Sequence, residues 1–111
     1  MNNKTSMQLG KLTIKAGEDL PANRFVNFNG TLCQSGQKVL GITTRAYKSG
    51  TLACIVTHGI VAVETGATIN TLGTEVRPST DGKAESTLTA FQNILTLDTA
   101  TGSGKFIRVK L

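Results

Sequence analysis

The chain of 111 residues contains few aromatic and few charged residues. It has no tryptophan, one tyrosine and four phenylalanines, and charged residues make up 17% of it, against about 25% in typical soluble domains. The net charge is +5, but the twelve lysines and arginines are scattered along the chain. Because nucleic-acid binding uses clustered basic residues interleaved with aromatic ones, we expect no nucleic-acid partner.

Long apolar runs are also absent. No stretch approaches the ~20 residues that a transmembrane helix needs. The polar start, MNNKTSMQLGKL, does not have the apolar stretch of a secretory signal. We therefore expect one domain, made in the cytoplasm, with no membrane partner.

Cysteine and histidine are too scarce for a metal site. Cys33 and Cys54 lie among apolar or small neighbours, where a reduced thiol packs as a small hydrophobic group. A disulfide between them is the less favoured alternative. His58 is the only histidine, and no short Cys/His spacing typical of zinc ligands is present. We expect free thiols, no metal and no cofactor.

No pattern in the chain points to catalysis. The seven carboxylates fall mostly in or near predicted turns and form no acid–base pair. The segment TGSGK (101–105) is not a phosphate loop, because Thr99 replaces the required glycine and Phe106 replaces the required serine or threonine. For His58, beside Gly59, a turn or interface role is favoured over catalysis. We expect that the protein is not an enzyme.

Short β-branched segments separated by glycine turns make up most of the chain. Asn29-Gly30 predicts a two-residue hairpin turn, Gly59 is expected to interrupt a strand, and 85–91 is the one candidate helical turn. The spacing of the β-branched segments, roughly ten residues, predicts an all-β barrel or sandwich. The predicted strands are 11–15, 24–28, 31–35, 38–44, 51–57, 60–64, 74–78, 93–98 and 105–111.

The sequence repeats itself in altered form. IKAGEDL (14–20) matches VETGATI (63–69) at an offset of 49 (63−14), and SGTLACI (49–55) matches SGKFIRV (103–109) at 54 (103−49). The preserved order of the matches predicts two pseudo-repeated β-units, about 11–57 and 60–111, that close into one barrel-like core. Gly17 and Gly66 are expected to adopt a positive φ between strands.

The repeat also assigns the faces of the predicted strand 51–57. Ala53, Ile55 and Thr57 match an apolar set in the second copy and are expected to face the core. Leu52, Cys54 and Val56 make the opposite face apolar too, so it must be covered by the chain itself or by a neighbouring subunit. We expect Leu52, Val56 and His58 to lie near subunit contacts.

The run RFVNFNGTLCQSGQKVLGITTRAYKSGTLACIVTHGIVAV resembles the head decoration, or cement, proteins of tailed bacteriophages. The similarity extends over ETGATINTLGTEVRPSTDGKAE and covers about residues 10–111. It is carried mainly by the spacing of glycines and aliphatic residues, namely Val26, Gly30, 39–42, Gly50, 52–56 and Gly59.

The resemblance implies a small β-rich protein, commonly a homotrimer, that binds the outside of an expanded capsid. Such proteins lie at three-fold or quasi-three-fold points and bridge neighbouring subunits of the major capsid protein. It therefore implies two partners, the major capsid protein and other copies of the chain. It also implies a location on the virion after synthesis in the host cytoplasm, and it implies no catalytic residues.

Residues 1–10 precede the first predicted strand as an N-terminal arm, which we expect to be flexible in the free protein. Lys4, Met7 and Leu9 are candidate capsid contacts, because an extended arm can add a strand to an exposed sheet edge. Two alternatives stay open. One is a small β-barrel that binds single-stranded nucleic acid, and the other is a different virion part, such as a head-fibre or tail component.

Overall fold

The computed structural model describes residues 7–87 and 94–111, with side chains from residue 10 onward. These residues form a nearly all-β fold, as the sequence predicts, with a single 3-10 turn at Thr80–Gly82. No helix within the described ranges is long and apolar enough to cross a membrane. The strands are β1 (Met7–Lys15), β2 (Phe25–Val26), β3 (Gly41–Thr43), β4 (Leu52–Glu64), β5 (Glu75–Pro78), β6 (Ala84–Thr87), β7 (Leu95–Thr96) and β8 (Phe106–Lys110).

All eight strands belong to one sheet that curls into a half-barrel around β4. Strand β1 pairs antiparallel along one edge of β4. On the other edge, β3 pairs with the first part of β4 and β8 with the last part. Strand β2 continues the sheet beyond β3, while β7, β5 and β6 continue it beyond β8. The 13-residue β4 is therefore the common strand of both halves.

Strand pairing repeats between the first unit (11–57) and the second unit (60–111). Lys15 pairs with Leu52 as Glu64 pairs with Phe106, at offsets of 49 (64−15) and 54 (106−52). These are the offsets of the sequence matches, so the match in sequence is also a match in register. The pairing itself also repeats farther from β4's ends, where Ile42↔Val56 corresponds to Leu95↔Lys110 and Phe25↔Ile42 to Glu75↔Leu95, at offsets of 53 (95−42), 54 (110−56) and 50 (75−25).

Gly59 does not interrupt a strand, contrary to the sequence-based prediction. It adopts a φ of 114° inside β4, where the pairing with β1 shifts register beside Gly10. A bulge of this kind changes which face the following residues point to. Thr57, expected on the core face, lies at this irregularity and is only half-buried, whereas Ile55 and Val56, which precede it, are both buried. Strand β4 thus ends the first unit and begins the second.

Two apolar cores lie on opposite faces of the first unit's sheet. Phe25, Ile42 and Val56 are cross-strand neighbours, so they share one face, and they pack into the core of the second unit. The other face holds the first unit's own core. The smaller core consists of Ala16, Leu20, Val26, Ala53 and Ile55; the larger consists of Phe25, Cys33, Ile42, Val56, Val61, Val63, Ile69, Val76, Ala84, Ile94, Ile107 and Val109.

Gly17 and Gly66 are required for space, which corrects the expectation of a positive φ at these positions. Neither has a positive φ. A Cβ on Gly17 would lie 3.1 Å from the carbonyl oxygen of Asn29, and one on Gly66 would lie 2.5 Å from Ser79 Oγ. In each unit, a later segment of the chain therefore packs directly onto this glycine.

Several predicted elements differ in extent. Residues 31–35 form no strand beyond a single bridge from Leu32 to Val26. The turn at Asn29-Gly30 spans three residues, 28–30, because the Asn27 N–H donates to the carbonyl oxygen of Thr31 (3.0 Å); Gly30 supplies the positive φ of 80°. The helical turn predicted at 85–91 is wrong for residues 85–87, which belong to β6, and 88–91 lie outside the described residues.

Strand β1 begins four residues before its predicted start at residue 11. Met7 pairs with Ile60, and Gln8 pairs with Gly59, so part of the predicted arm is a strand edge. Residues 1–6 lie outside the described residues. Of the predicted arm, residues 7–10 therefore belong to β1.

Candidate subunit and capsid interface

Each end of β4 carries one large, exposed apolar side chain. Leu52 begins β4 beside Lys15 and is 71% exposed. Phe106 pairs with Glu64, the last residue of β4, and is 61% exposed. Both follow glycine turns, in which the repeated positive φ lets the chain reverse and start the returning strand. The pair is thus a consequence of the repeat.

Val56 lies in the core, whereas Leu52 and His58, the other two residues predicted to lie near a subunit contact, are exposed. It is 1% exposed and belongs to the larger core. The sequence predicts that this face of the strand is covered either by the chain itself or by a neighbouring subunit. For Val56, the chain itself covers it. Its role near a subunit contact stays a prediction, with little side-chain surface available for a partner.

His58 is exposed on β4, about six residues beyond Leu52. At roughly 3.3 Å per residue these two predicted interface residues are about 20 Å apart, so the structure does not bring them together. The Nδ1 atom of His58 lies 3.1 Å from Thr57 Oγ1. His58 borders an open cavity of about 180 Å³, whose lining is Val39, Leu40, Thr57, His58, Ile94 and Leu111.

Of the candidate capsid contacts in the arm, Met7 and Leu9 lie in β1, and Lys4 lies outside the described residues. Their role as capsid contacts stays a prediction. Sequence patterns do not single out the other exposed apolar residues, namely Leu12, Phe28, Leu72 and Phe106. A signal for Phe106 is nevertheless present, because the repeat aligns it with Leu52 at an offset of 54 (106−52).

The carboxylates of the described residues are engaged within the chain. Arg24 binds Glu64 (3.0 Å), and Arg108 binds Asp98 (2.9 Å), which lowers the pKa of that carboxyl below its usual range. Glu18 accepts a hydrogen bond from the backbone N–H of Leu32. The lysines of β1 take part in none of the ion pairs found among these residues. The exposed surface is therefore weakly positive.

Comparison with known proteins identifies the family. The sequence profile of phage cement proteins matches residues 6–111. The chain belongs to the phage cement protein family. Its fold is similar to that in the crystal structure of the N base of head fibre gp8.5 of bacteriophage phi29, with a TM-score of 0.72, 15% identity and 92% of each chain covered. No curated protein matches the sequence.

Membership confirms the resemblance found in the sequence. This cement protein is a structural component of the phage head, and the family is a structural one. The likeness to the head-fibre base, at 15% identity, shows a shared fold. Within this fold, exposed apolar side chains lie at both ends of β4 and in β1.

Proposed function

We propose that this cement protein binds the outer surface of the capsid, contacts the major capsid protein and holds neighbouring capsid subunits together. The observation that supports it most directly is the position of Leu52 and Phe106 at opposite ends of β4. The strand has thirteen residues, so the two side chains are at most about 40 Å apart. A cement protein needs two separated contact points of this kind, one for another copy of itself (Leu52) and one for the capsid (Phe106). Copies that are joined to one another then hold the capsid subunits beneath them together.

The strand that separates the two contact points is held on both edges. Ile55 pairs with Leu12 on one side and with Thr43 on the other, and Val61 pairs with Val109. Apolar side chains from both units pack onto it. Because β4 lies within the sheet, its ends keep a fixed separation, and load on one contact is transmitted to the other.

Low surface charge is consistent with this role. A cement protein makes the same contact many times on one particle, so modest affinities are sufficient when several contacts act together. Aromatic side chains such as Phe106 are enriched at protein interfaces, and exposed apolar patches mark interaction surfaces. Contacts of this type depend only weakly on salt, unlike contacts with phosphate groups.

The proposed active form is a homotrimer in which Leu52 lies near the subunit contact. Leu52 is the most exposed large apolar residue of the described part of the chain, and Lys15 beside it keeps the surrounding surface polar. The number of subunits follows from the family resemblance. His58, about 20 Å farther along β4, is proposed to contact a separate part of the neighbouring subunit, while Val56 is buried in the larger core.

The arm is proposed as an additional capsid contact. Lys4, Met7 and Leu9 supply a charge and two apolar side chains, and Met7 and Leu9 belong to β1, which pairs only with β4 among the described residues. Removing residues 1–8, which include Lys4 and Met7, takes away only the first two residues of β1. The truncated protein should keep its fold and oligomeric state and bind capsids at least tenfold more weakly, which corresponds to about 1.4 kcal/mol per site.

Co-sedimentation with capsids that lack the protein tests the proposed function. We expect the purified protein to pellet with such capsids in both low and high salt, and to stay in solution without them. Binding to single-stranded nucleic acid that disappears in high salt, without binding to capsids, would instead support the nucleic-acid alternative.

A further inference from the structure

The core of the second unit is closed by residues of the first unit. Val61 and Val63, in the second half of β4, are 2% and 0% exposed. They share the larger core with Phe25, Ile42 and Val56, which the first unit contributes from the back of its own sheet. We call this contact between the two units the internal interface. In it, an apolar face of the first unit's sheet covers the core of the second unit.

The same position in the first unit has no such cover among the described residues. Leu12 and Ile14 occupy the places of Val61 and Val63, at an offset of 49 (61−12 and 63−14) and with the same strand register. Leu12 pairs with Ile55, so its side chain points to the core face, yet it is 47% exposed. Ile14 is half-buried.

The charged residue next to the core-facing residues of the strand has opposite sign in the two units. At the internal interface, Arg24 of the first unit binds Glu64 at the end of β4 (3.0 Å), and the N–H of Glu64 donates to the carbonyl oxygen of Asn23 (2.8 Å). The first unit has Lys15 in the place of Glu64 (64−49). Lys15 is exposed and takes part in no ion pair found in the described part of the chain.

We propose that the open core face of the first unit, formed by Leu12 and Ile14 with Lys15 at its border, binds a β-sheet face of the capsid protein. The bound face carries aliphatic or aromatic side chains at its centre, in the way that Phe25, Ile42 and Val56 cover the second unit. It carries a carboxylate opposite Lys15, where the internal interface has Arg24 opposite Glu64. This inference names the docking surface and therefore rests on the proposed function.

A second copy of the chain fits this position poorly. Phe25, Ile42 and Val56 are fully buried within their own chain, so they cannot also cover a neighbour. The equivalent face of the second unit carries Glu75, Leu95 and Lys110. Docking that face would remove a carboxylate and an ammonium group from water, which is costly. In addition, a second copy that docked through the face bordered by Arg24 would place this positive charge next to Lys15, which is also positive.

Capsid co-sedimentation with two matched pairs of variants tests the proposal. Leu12→Asp should weaken binding at least tenfold, whereas Leu72→Asp, which changes an exposed leucine (64%) on a distant loop, should leave it unchanged. Lys15→Glu should weaken binding at least threefold, with the difference from wild type shrinking in high salt. Lys38→Glu, the control for charge reversal at another exposed lysine, should have less than half that effect.

Unfolding curves of all four variants separate loss of binding from loss of fold, and Lys15→Glu tests the site even if Leu12→Asp does not fold. Wild-type binding in low and high salt with equal binding of Leu12→Asp and Lys15→Glu would overturn this inference and leave the proposed function standing. No binding of the wild type would overturn the proposed function itself. Loss of the oligomer in Leu12→Asp, or stronger binding after removal of residues 1–6, would assign the face to a second copy or to the arm and would also overturn the inference.

Discussion

Arg24 and Glu64 join the two units of the fold through one carboxylate oxygen. The Nε and Nη2 atoms of Arg24 donate to Glu64 Oε1 at 3.1 and 3.0 Å, and both side chains are largely buried. The Nη1 atom of Arg24 also donates to the carbonyl oxygen of Asp81 (3.0 Å). The guanidinium of the first unit thus fixes the end of β4 and the 3-10 turn of the second unit at the same time.

Removing this guanidinium should destabilise the protein. Arg24→Ala is expected to lower the free energy of unfolding by about 1–3 kcal/mol, because it leaves the carboxylate of Glu64 partly buried with only the distant Lys83 (3.8 Å) nearby. Arg77→Ala is the matched control, since its pair with Glu85 is more exposed and should contribute below about 1 kcal/mol. Urea unfolding of both variants makes the comparison, and an equal loss in the two would contradict the account.

Gly41 lets β3 approach β4 closely. A Cβ at Gly41 would collide with the carbonyl oxygen of Val56 and lie 2.6 Å from Ile55 Cγ2. Gly41→Ala should therefore cost about 3 kcal/mol or more by overpacking. Gly36→Ala should cost only about 1–2 kcal/mol from its positive φ of 85°, because nothing lies within 4 Å of the added atom. The reverse order in thermal unfolding would refute the close approach.

The two cysteines should react at different rates. Both are free; Cys33 is buried, and burial raises the pKa of its thiol to about 11, while Cys54 is half-buried. In the native protein a thiol reagent near pH 8 should modify Cys54 and spare Cys33 until the chain unfolds, because the thiolate is the reactive form. Rapid modification of both, measured by mass spectrometry before and after adding denaturant, would contradict the burial of Cys33.

The pH dependence of stability follows from the same shift. Below the unfolded-state pKa of about 8.5, Cys33 is neutral in both the folded and the unfolded state, so its ionisation does not lower the free energy of unfolding. As the pH rises from there towards 11, the unfolded chain ionises while the folded one stays neutral, so the stability due to this group is lost. Replacing Cys33 by alanine should remove this part of the decline, as urea unfolding at several pH values can measure.

Leu52 should control self-association. Leu52→Asp is expected to convert the proposed trimer into monomers, with at least a tenfold weaker association, because a carboxylate would replace an exposed apolar side chain at the contact. Leu72→Asp serves as the control at a comparably exposed position. Light scattering that gives the same trimer mass for wild type and Leu52→Asp would remove Leu52 from the interface, and a monomeric wild type would contradict a trimer in solution.

Sequence periodicity predicts the all-β class and the offsets of the repeat because strand register fixes both. The repeat aligns Leu52 with Phe106, and the strand pairing keeps that alignment. Contacts between distant segments are beyond the reach of periodicity. At Gly17 the pattern suggests a backbone conformation, whereas the constraint comes from the approach of the segment around Asn29, which only the folded chain brings there.

The site is predictable only in part, for a related physical reason. The apolar pattern around Val56 shows that both faces of a strand need cover, but the pattern does not say which part of the assembly provides it. Val56 is covered by the core of the second unit, which is a contact between distant segments. A single glycine such as Gly59 likewise does not reveal from the sequence whether it ends a strand or bends it. The exposure of Leu12 likewise depends on how the two units pack, because the first unit covers the core of the second but not the reverse.

Electron cryomicroscopy of capsids with and without the protein tests the central claim most directly. The difference map should show added density on the outer surface, over the junction between neighbouring capsid subunits, with the Leu52 end of β4 directed towards another copy of the protein and the Phe106 end towards the capsid. Density confined to a single capsid subunit, located inside the shell, or absent despite bound protein would contradict the proposal that this cement protein bridges and stabilises the head.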